Sequence, residues 1–179
     1  MASIPIRKSD DVYLFLNILR EKNQLFGDFA IVQFQWGLRF GDCAAITHGD
    51  ARRALDHGYV ELCEGKTKKM RPCSLNDRVR TVLMMYYDAS ADPDSCVWPK
   101  KIVRETYNLK LKEVALMLGL DANKISSHSL RKSFAYLLRV EHDVPVADIS
   151  EQMGHSSTEI TLRYCGLELD KKLRLTTLL

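Results

Sequence analysis

No run in this chain approaches the ~18 apolar residues of a membrane-spanning helix, and the opening MASIPIRKSDD has no apolar stretch of the kind that directs secretion. Both absences predict a cytoplasmic protein with no membrane partner. Five cysteines (Cys43, Cys63, Cys73, Cys96, Cys165) are scattered without a CxxC pair. An odd number in a chain with no export signal points to reduced thiols, not to disulfides or structural zinc. Internal repeats and low-complexity tracts are also missing. What is present, 179 residues with 46% apolar content, suffices for one good core, so residues 1–179 are expected to form a single domain.

Net charge is scarce as well, at +3, which by itself announces no nucleic-acid partner. Its distribution is less even. Residues 1–60 carry 7 basic and 7 acidic side chains, residues 61–132 carry 14 and 9, and residues 133–179 carry 5 and 7. The basic middle holds the cluster KTKKMR (Lys66 to Arg71) and the pair Lys100 and Lys101. These suit a phosphate-facing patch, though taken alone they read first as a solvated hairpin.

Ser9 followed by Asp10 and Asp11 is a good helix opening, with Val12, Phe15, Leu16 and Leu19 recurring on one face. A second apolar segment runs from Phe29 to Trp36, stops near Gly37 and restarts beyond Arg39 through Cys43 to Ile46, which puts Arg39 at a junction between helices. Between Gly58 and Leu75 the period changes: YVELC and MRPCSL read as two short strands joined by the polar tip EGKTKK. Helical spacing returns in Val79, Val82, Leu83 and Tyr86, ASADPDS reads as a loop, and Ile102 to Leu118 is helical with Gly119 as its stop. Shorter helices follow over about Ser127 to Val140, Val144 to Met153 and Ser157 to Cys165. The fold class is therefore α+β, mainly α-helical, with one small antiparallel sheet.

Three sites in the second half place chemistry-bearing residues. His128 and Arg131 lie three residues apart, on the flank of a stripe formed by Leu130, Phe134, Leu137 and Leu138. Gly154 stops a helix and holds His155 in a corner, while Ser156 and Glu159 match the capping box S-x-x-E. Tyr164 ends the helix that follows, one turn after Ile160. Each feature alone has an ordinary alternative: a surface histidine beside a surface arginine, or an i, i+4 packing pair. His48, His57 and His142 match no motif and read as structural or exposed.

Together with the upstream motifs, the set resembles the catalytic domain of the tyrosine recombinase and phage integrase family. The pattern here runs GLRFGD (Arg39), GKTKK (Lys66), HSLR (His128 and Arg131), MGHS (His155) and ITLRY (Tyr164), over about 130 residues and in family order. The resemblance implies a tyrosine-recombinase catalytic fold acting on double-stranded DNA. It also implies that Tyr164 attacks the scissile phosphate to form a 3′-phosphotyrosyl intermediate, with no ATP, metal or other cofactor. In that scheme Arg39 and Arg131 hold the nonbridging oxygens, and His128 and His155 donate hydrogen bonds or take the tyrosine proton, the base being unassigned. Lys66 protonates the leaving oxygen, with Lys68 and Lys69 close enough in sequence to compete for the role. Asp42 is placed to orient Arg39 or to be a plain surface acid. Lys68, Lys69, Arg71 and Lys132 are expected to make ordinary phosphate contacts.

Only about 38 residues precede Arg39, too few for the core-binding domain that many members carry, so the expectation is the catalytic domain alone, excised or naturally compact. Trp36 and Met153 stand where threonine and leucine are common in the family. Leucines in residues 167–179 suggest a C-terminal arm that docks on a neighbouring protomer to form a homo-oligomer on DNA, or that packs on its own domain. Two other functions fit parts of the pattern: a type IB topoisomerase, and a noncatalytic DNA-binding paralogue that regulates excision or transcription. The complete residue set counts against the second, since binding alone needs no nucleophile.

Overall fold

The computed structural model describes residues 3–167. Its elements follow in the order α1 (Ser9–Lys22), α2 (Gln24–Gln35), α3 (Phe40–Ala44), α4 (His48–His57), β1 (Tyr59–Cys63), β2 (Met70–Ser74), α5 (Asp77–Tyr86), α6 (Arg104–Met117), a 3₁₀ turn (Ala122–Lys124), α7 (Ser127–Val140), α8 (Val146–Gln152) and α9 (Thr158–Cys165). The mainly helical reading with a small antiparallel sheet holds. No helix among the described residues is long and apolar enough to cross a membrane. The expected arm lies outside the described residues except for Leu167, which is buried.

Helix α2 is the axle. Its segment QLFGDFAIVQFQ has scarcely a polar face, and every residue from Phe26 to Phe34 is buried, as expected of a helix covered on all sides. Helices α1, α3, α5 and α7 all pack on it. The apolar face of α1 is the one expected, with Val12, Phe15, Leu16 and Leu19 fully buried. Its cap differs from the sequence reading: the helix starts at Ser9, but Lys8 is the N-cap and no side chain caps it. The Ser9 amide instead donates to Glu141 Oε1 at 3.0 Å, so a long-range partner replaces the local one.

The buried amide of Gln33 ties two later site positions together. Its Nε2 donates to Leu38 O (3.4 Å) and Ser127 O (3.2 Å), and its Oε1 accepts from the Tyr107 hydroxyl at 2.9 Å. Leu38 precedes Arg39 and Ser127 precedes His128. One fully satisfied side chain therefore sets the backbone of both, which is the condition under which a buried amide is stabilising.

Strands β1 and β2 pair antiparallel with Val60 opposite Cys73, Glu61 opposite Pro72 and Leu62 opposite Arg71. Burial alternates along both, so Val60, Leu62, Arg71 and Cys73 face inward. The backbone bonds Glu64 N to Lys69 O and Leu75 N to Gly58 O mark the bonded rungs. They leave Pro72 on an unbonded rung, with its nitrogen on the outer edge. That is where proline, lacking an N–H, fits in a sheet.

Candidate active site

The motif residues arrive from four places: the α2–α3 junction (Arg39), the β1–β2 tip (Lys66), the first two turns of α7 (His128 and Arg131), and the corner between α8 and α9 with the end of α9 (His155 and Tyr164). Arg39 is the N-cap of α3, in extended backbone after Gly37 turns the chain at φ 57°. A side chain at position 37 would clash as well, because an added Cβ would lie 2.4 Å from the Phe134 ring.

Arg131 departs from the expected flank position, being only 2% exposed. Its Nη1 donates to Gly37 O at 2.7 Å and its Nη2 to Met153 O at 2.6 Å. One planar fork thus links the turn before Arg39 to the corner before His155, using two of the five guanidinium donors. Burial, followed by the neighbouring Arg71 and Arg39, lowers its pKa to about 10, and it stays cationic at neutral pH.

A buried carboxylate that no motif flagged, Glu64, sits at the centre. Its Oε2 lies 2.7 Å from Arg39 Nη1, off the N–H axis, and accepts from the Thr67 hydroxyl at 2.6 Å. Its Oε1 accepts from Arg71 Nη1 at 3.4 Å and lies 3.7 Å from Arg131 Nη1. Burial alone raises the Glu64 pKa; the Thr67 hydroxyl and Arg39 more than offset this, and the net shift is downward. Glu64 was legible in one respect. The inward alternation of Val60 and Leu62 continues to position 64, and a carboxylate in that register has to find cations.

Asp42 is not a surface acid, its side chain being 8% exposed, and it meets Arg39 only loosely. Its Oδ2 is 3.7 Å from Arg39, while its Oδ1 accepts from the Gly65 amide at 2.9 Å, fixing the residue before Lys66. Lys66 is exposed at the tip, as are Lys68 and Lys69, and Lys68 adopts a left-handed φ of 58°. Arg71 does not fit the phosphate contact expected of it. It occupies an inward strand position, is buried, and donates to Trp36 O at 2.7 Å as well as to Glu64. Lys132 is half-buried, with Nζ donating to Ser3 O at 2.6 Å and lying 5.0 Å from the centre of the Tyr164 ring.

The corner after α8 forms at Gly154, with φ 61°, and a Cβ there would lie 2.8 Å from Glu64 Oε2, so space and conformation both require glycine. The expected capping box from Ser156 to Glu159 does not form. Ser157 is the N-cap of α9, without a side-chain bond. His155 is held instead by Thr161, whose Oγ1 lies 2.8 Å from Nδ1. Its ring meets the Tyr164 ring edge to face, 5.2 Å between centres. An open cleft of about 640 Å³ lies between the hairpin and this corner, with Glu64, Lys69, Arg71 and His155 on its walls.

Both site histidines are driven toward neutrality. Burial, then Arg131 and Arg39, depresses His155 from 6.5 to about 4. Burial, then Arg104, Arg131, Lys132 and Arg39, lowers His128. Sequence reasoning missed Arg104, whose guanidinium lies 5.0 Å from the centre of the Phe40 ring. For His155 the unfolded chain takes up a proton near 6.5 and the folded chain only near 4. Between those values the unfolded state holds more protons, so stability is full above 6.5 and falls as pH drops toward 4. Urea midpoints should therefore be lower at pH 5 than at pH 7, and His155→Asn should flatten that dependence; equal slopes for both proteins would exclude the assignment.

Comparison with known proteins places the chain. Residues 9–169 match the Phage integrase family. The chain is 27% identical over 174 residues to the "Probable integrase/recombinase YoeC" of Bacillus subtilis, covering 93% of this chain and 91% of that protein. It is 34% identical over 138 residues to "Tyrosine recombinase XerD" of Haemophilus ducreyi, covering 72% of this chain but only 45% of the relative. Among solved structures, the Tn1549 transposon integrase in complex with a circular intermediate DNA superposes with a TM-score of 0.69 at 15% identity, over 92% of this chain and 62% of that one. The chain belongs to the phage integrase family, and a tyrosine recombinase is among the relatives it matches.

Proposed function

We propose that this domain cleaves and rejoins double-stranded DNA at a specific site of a mobile element, through a covalent bond between Tyr164 and a 3′ phosphate. The observation that carries this reading is the convergence of Arg39 and Arg131 on one carboxylate, 2.7 and 3.7 Å from its two oxygens, beside a corner where neutral His155 meets Tyr164. Cations spaced to share one carboxylate are spaced to share one phosphate. Support for DNA as substrate comes from the Tn1549 integrase, solved with DNA on the same fold, and from the exposed lysines of the hairpin.

In this scheme the Tyr164 oxygen attacks phosphorus, the bond to the 5′ oxygen breaks, and the phosphate is carried on the tyrosine. His155, uncharged and fixed through Nδ1 by Thr161, takes the phenolic proton on its other nitrogen. Arg39 and Arg131 stabilise the charge that builds on the nonbridging oxygens, and His128, at the exposed edge of the same cationic field, donates to one of them. Lys66 gives its proton to the departing 5′ oxygen. Exposed Lys68 and Lys69 add sequence-independent affinity that weakens with salt. The tail beyond Leu167 is assigned to contact between protomers on DNA.

The test is covalent capture. A library of nicked duplexes with a randomised central segment is incubated with the chain, and DNA that stays with protein under denaturing conditions is recovered and sequenced. The expected result is enrichment of one sequence, with the DNA-linked peptide mapping to Tyr164. Attachment at another residue, or no attachment from any sequence, would defeat the reading.

A further inference from the structure

Glu64 has no part in the chemistry just described, yet it touches every wall of the site. Its carboxylate reaches Arg39 from the α2–α3 junction, Thr67 and Arg71 from the hairpin, and Arg131 from α7, and it closes on the Gly154 corner. Fold stability does not call for such a group. Apolar side chains of similar volume commonly serve as well as a buried ion cluster, and the inward register of Val60 and Leu62 would accept one.

We infer that Glu64 is a positioning residue, which holds Arg39 and the Lys66-bearing hairpin tip in one register so that phosphate stabilisation and leaving-group protonation act together. The inference rests on the function proposed above. Three observations carry it. Glu64 is 2% exposed, so it holds Arg39 from the interior and leaves the partly exposed side of that guanidinium, 19% of the side chain, open to substrate. Its own backbone closes the tip, the Glu64 amide donating to Lys69 O and the Glu64 carbonyl accepting from the Lys68 amide, both at 2.9 Å. Lys66 is held between these bonds and the Asp42 contact to Gly65. Finally, the Glu64 charge offsets three guanidinium groups that would otherwise repel one another across the site.

A competing reading makes Glu64 an internal stand-in for phosphate that substrate must expel. Burial and the short Thr67 bond argue against it, and the two readings predict opposite signs. The experiment uses the DNA sequence captured by the native chain and compares Glu64→Gln with native protein in DNA affinity and in single-turnover cleavage. A second substrate carries sulfur in place of the bridging 5′ oxygen, a leaving group that needs no proton. Positioning predicts cleavage slower by about 30-fold or more with DNA affinity within about threefold of native. The sulfur substrate should recover about tenfold of that loss, since the contribution of Lys66 is then bypassed.

A native rate in Glu64→Gln, or a faster one, would overturn the inference. Slow cleavage without recovery on the sulfur substrate would overturn its hairpin half. If Glu64→Gln fails to fold, Thr67→Val, in a half-exposed loop position, removes the hydroxyl that fixes Oε2. It is expected to slow cleavage severalfold at unchanged affinity, and a native rate would again overturn the inference. Absence of an adduct from the native chain would instead fault the function proposed above.

Discussion

Tyr164→Phe is expected to fold and to bind DNA like the native chain while forming no covalent complex. The substitution deletes one oxygen and keeps the ring, and with it the edge-to-face contact to His155 and the approach of Lys132. Stability should therefore change by under about 1 kcal/mol, the usual range for a change that leaves packing intact. The chemical loss is of another order. Without a nucleophile, the positioned arginines stabilise charge that never develops, and cleavage should fall on the order of 10⁴-fold or more, as for other enzymes stripped of the attacking group. Denaturing electrophoresis of the captured duplex measures this directly. An adduct that persisted in Tyr164→Phe would move the nucleophile elsewhere.

Arg131 should show the second-largest effect and, unlike Tyr164, on two quantities at once. Arg131→Ala removes the link between Gly37 O and Met153 O and deprives Glu64 of one of its cations. A broken buried ion pair costs about 3–5 kcal/mol. Arg131→Lys keeps the charge but offers a point donor on a flexible stem, which cannot reach both carbonyls and a phosphate together. We expect Arg131→Lys to recover about half of the lost stability and little of the activity, with cleavage down on the order of 10³-fold. Urea unfolding and single-turnover cleavage on the same preparations separate the two. Native-like cleavage by Arg131→Lys would mean that charge alone, not the two-carbonyl brace, is what the site needs.

How much of this was legible in advance depended on the range of the interaction responsible. Helix α7 was readable to its ends because its periodicity is local, and the hairpin because alternation and a glycine-containing polar tip are local too. Arg39 was rightly placed at a junction, since Gly37 punctuates the chain just before it. Most of the failures involved partners the local sequence does not name. Ser9 and Ser156 had the residue types for caps, yet Glu141 met the Ser9 amide and the second cap did not form. Arg71 was read as a surface cation in a basic run, although its strand parity already turned it inward toward Trp36 and Glu64. The proposal that His155 is the base rests on its contact with Tyr164 and on the field of two arginines, neither of which sequence spacing states.

A ribbon of only two strands normally leaves backbone groups open along its outer sides, ready to zip onto another chain. Here the β2 side is blunted at its midpoint: Pro72 has no amide to offer, and its carbonyl already accepts from Gln152 Nε2 at 3.2 Å. A second chain brought alongside is thereby denied a continuous intermolecular sheet along β2, the strand that follows the tip carrying Lys66.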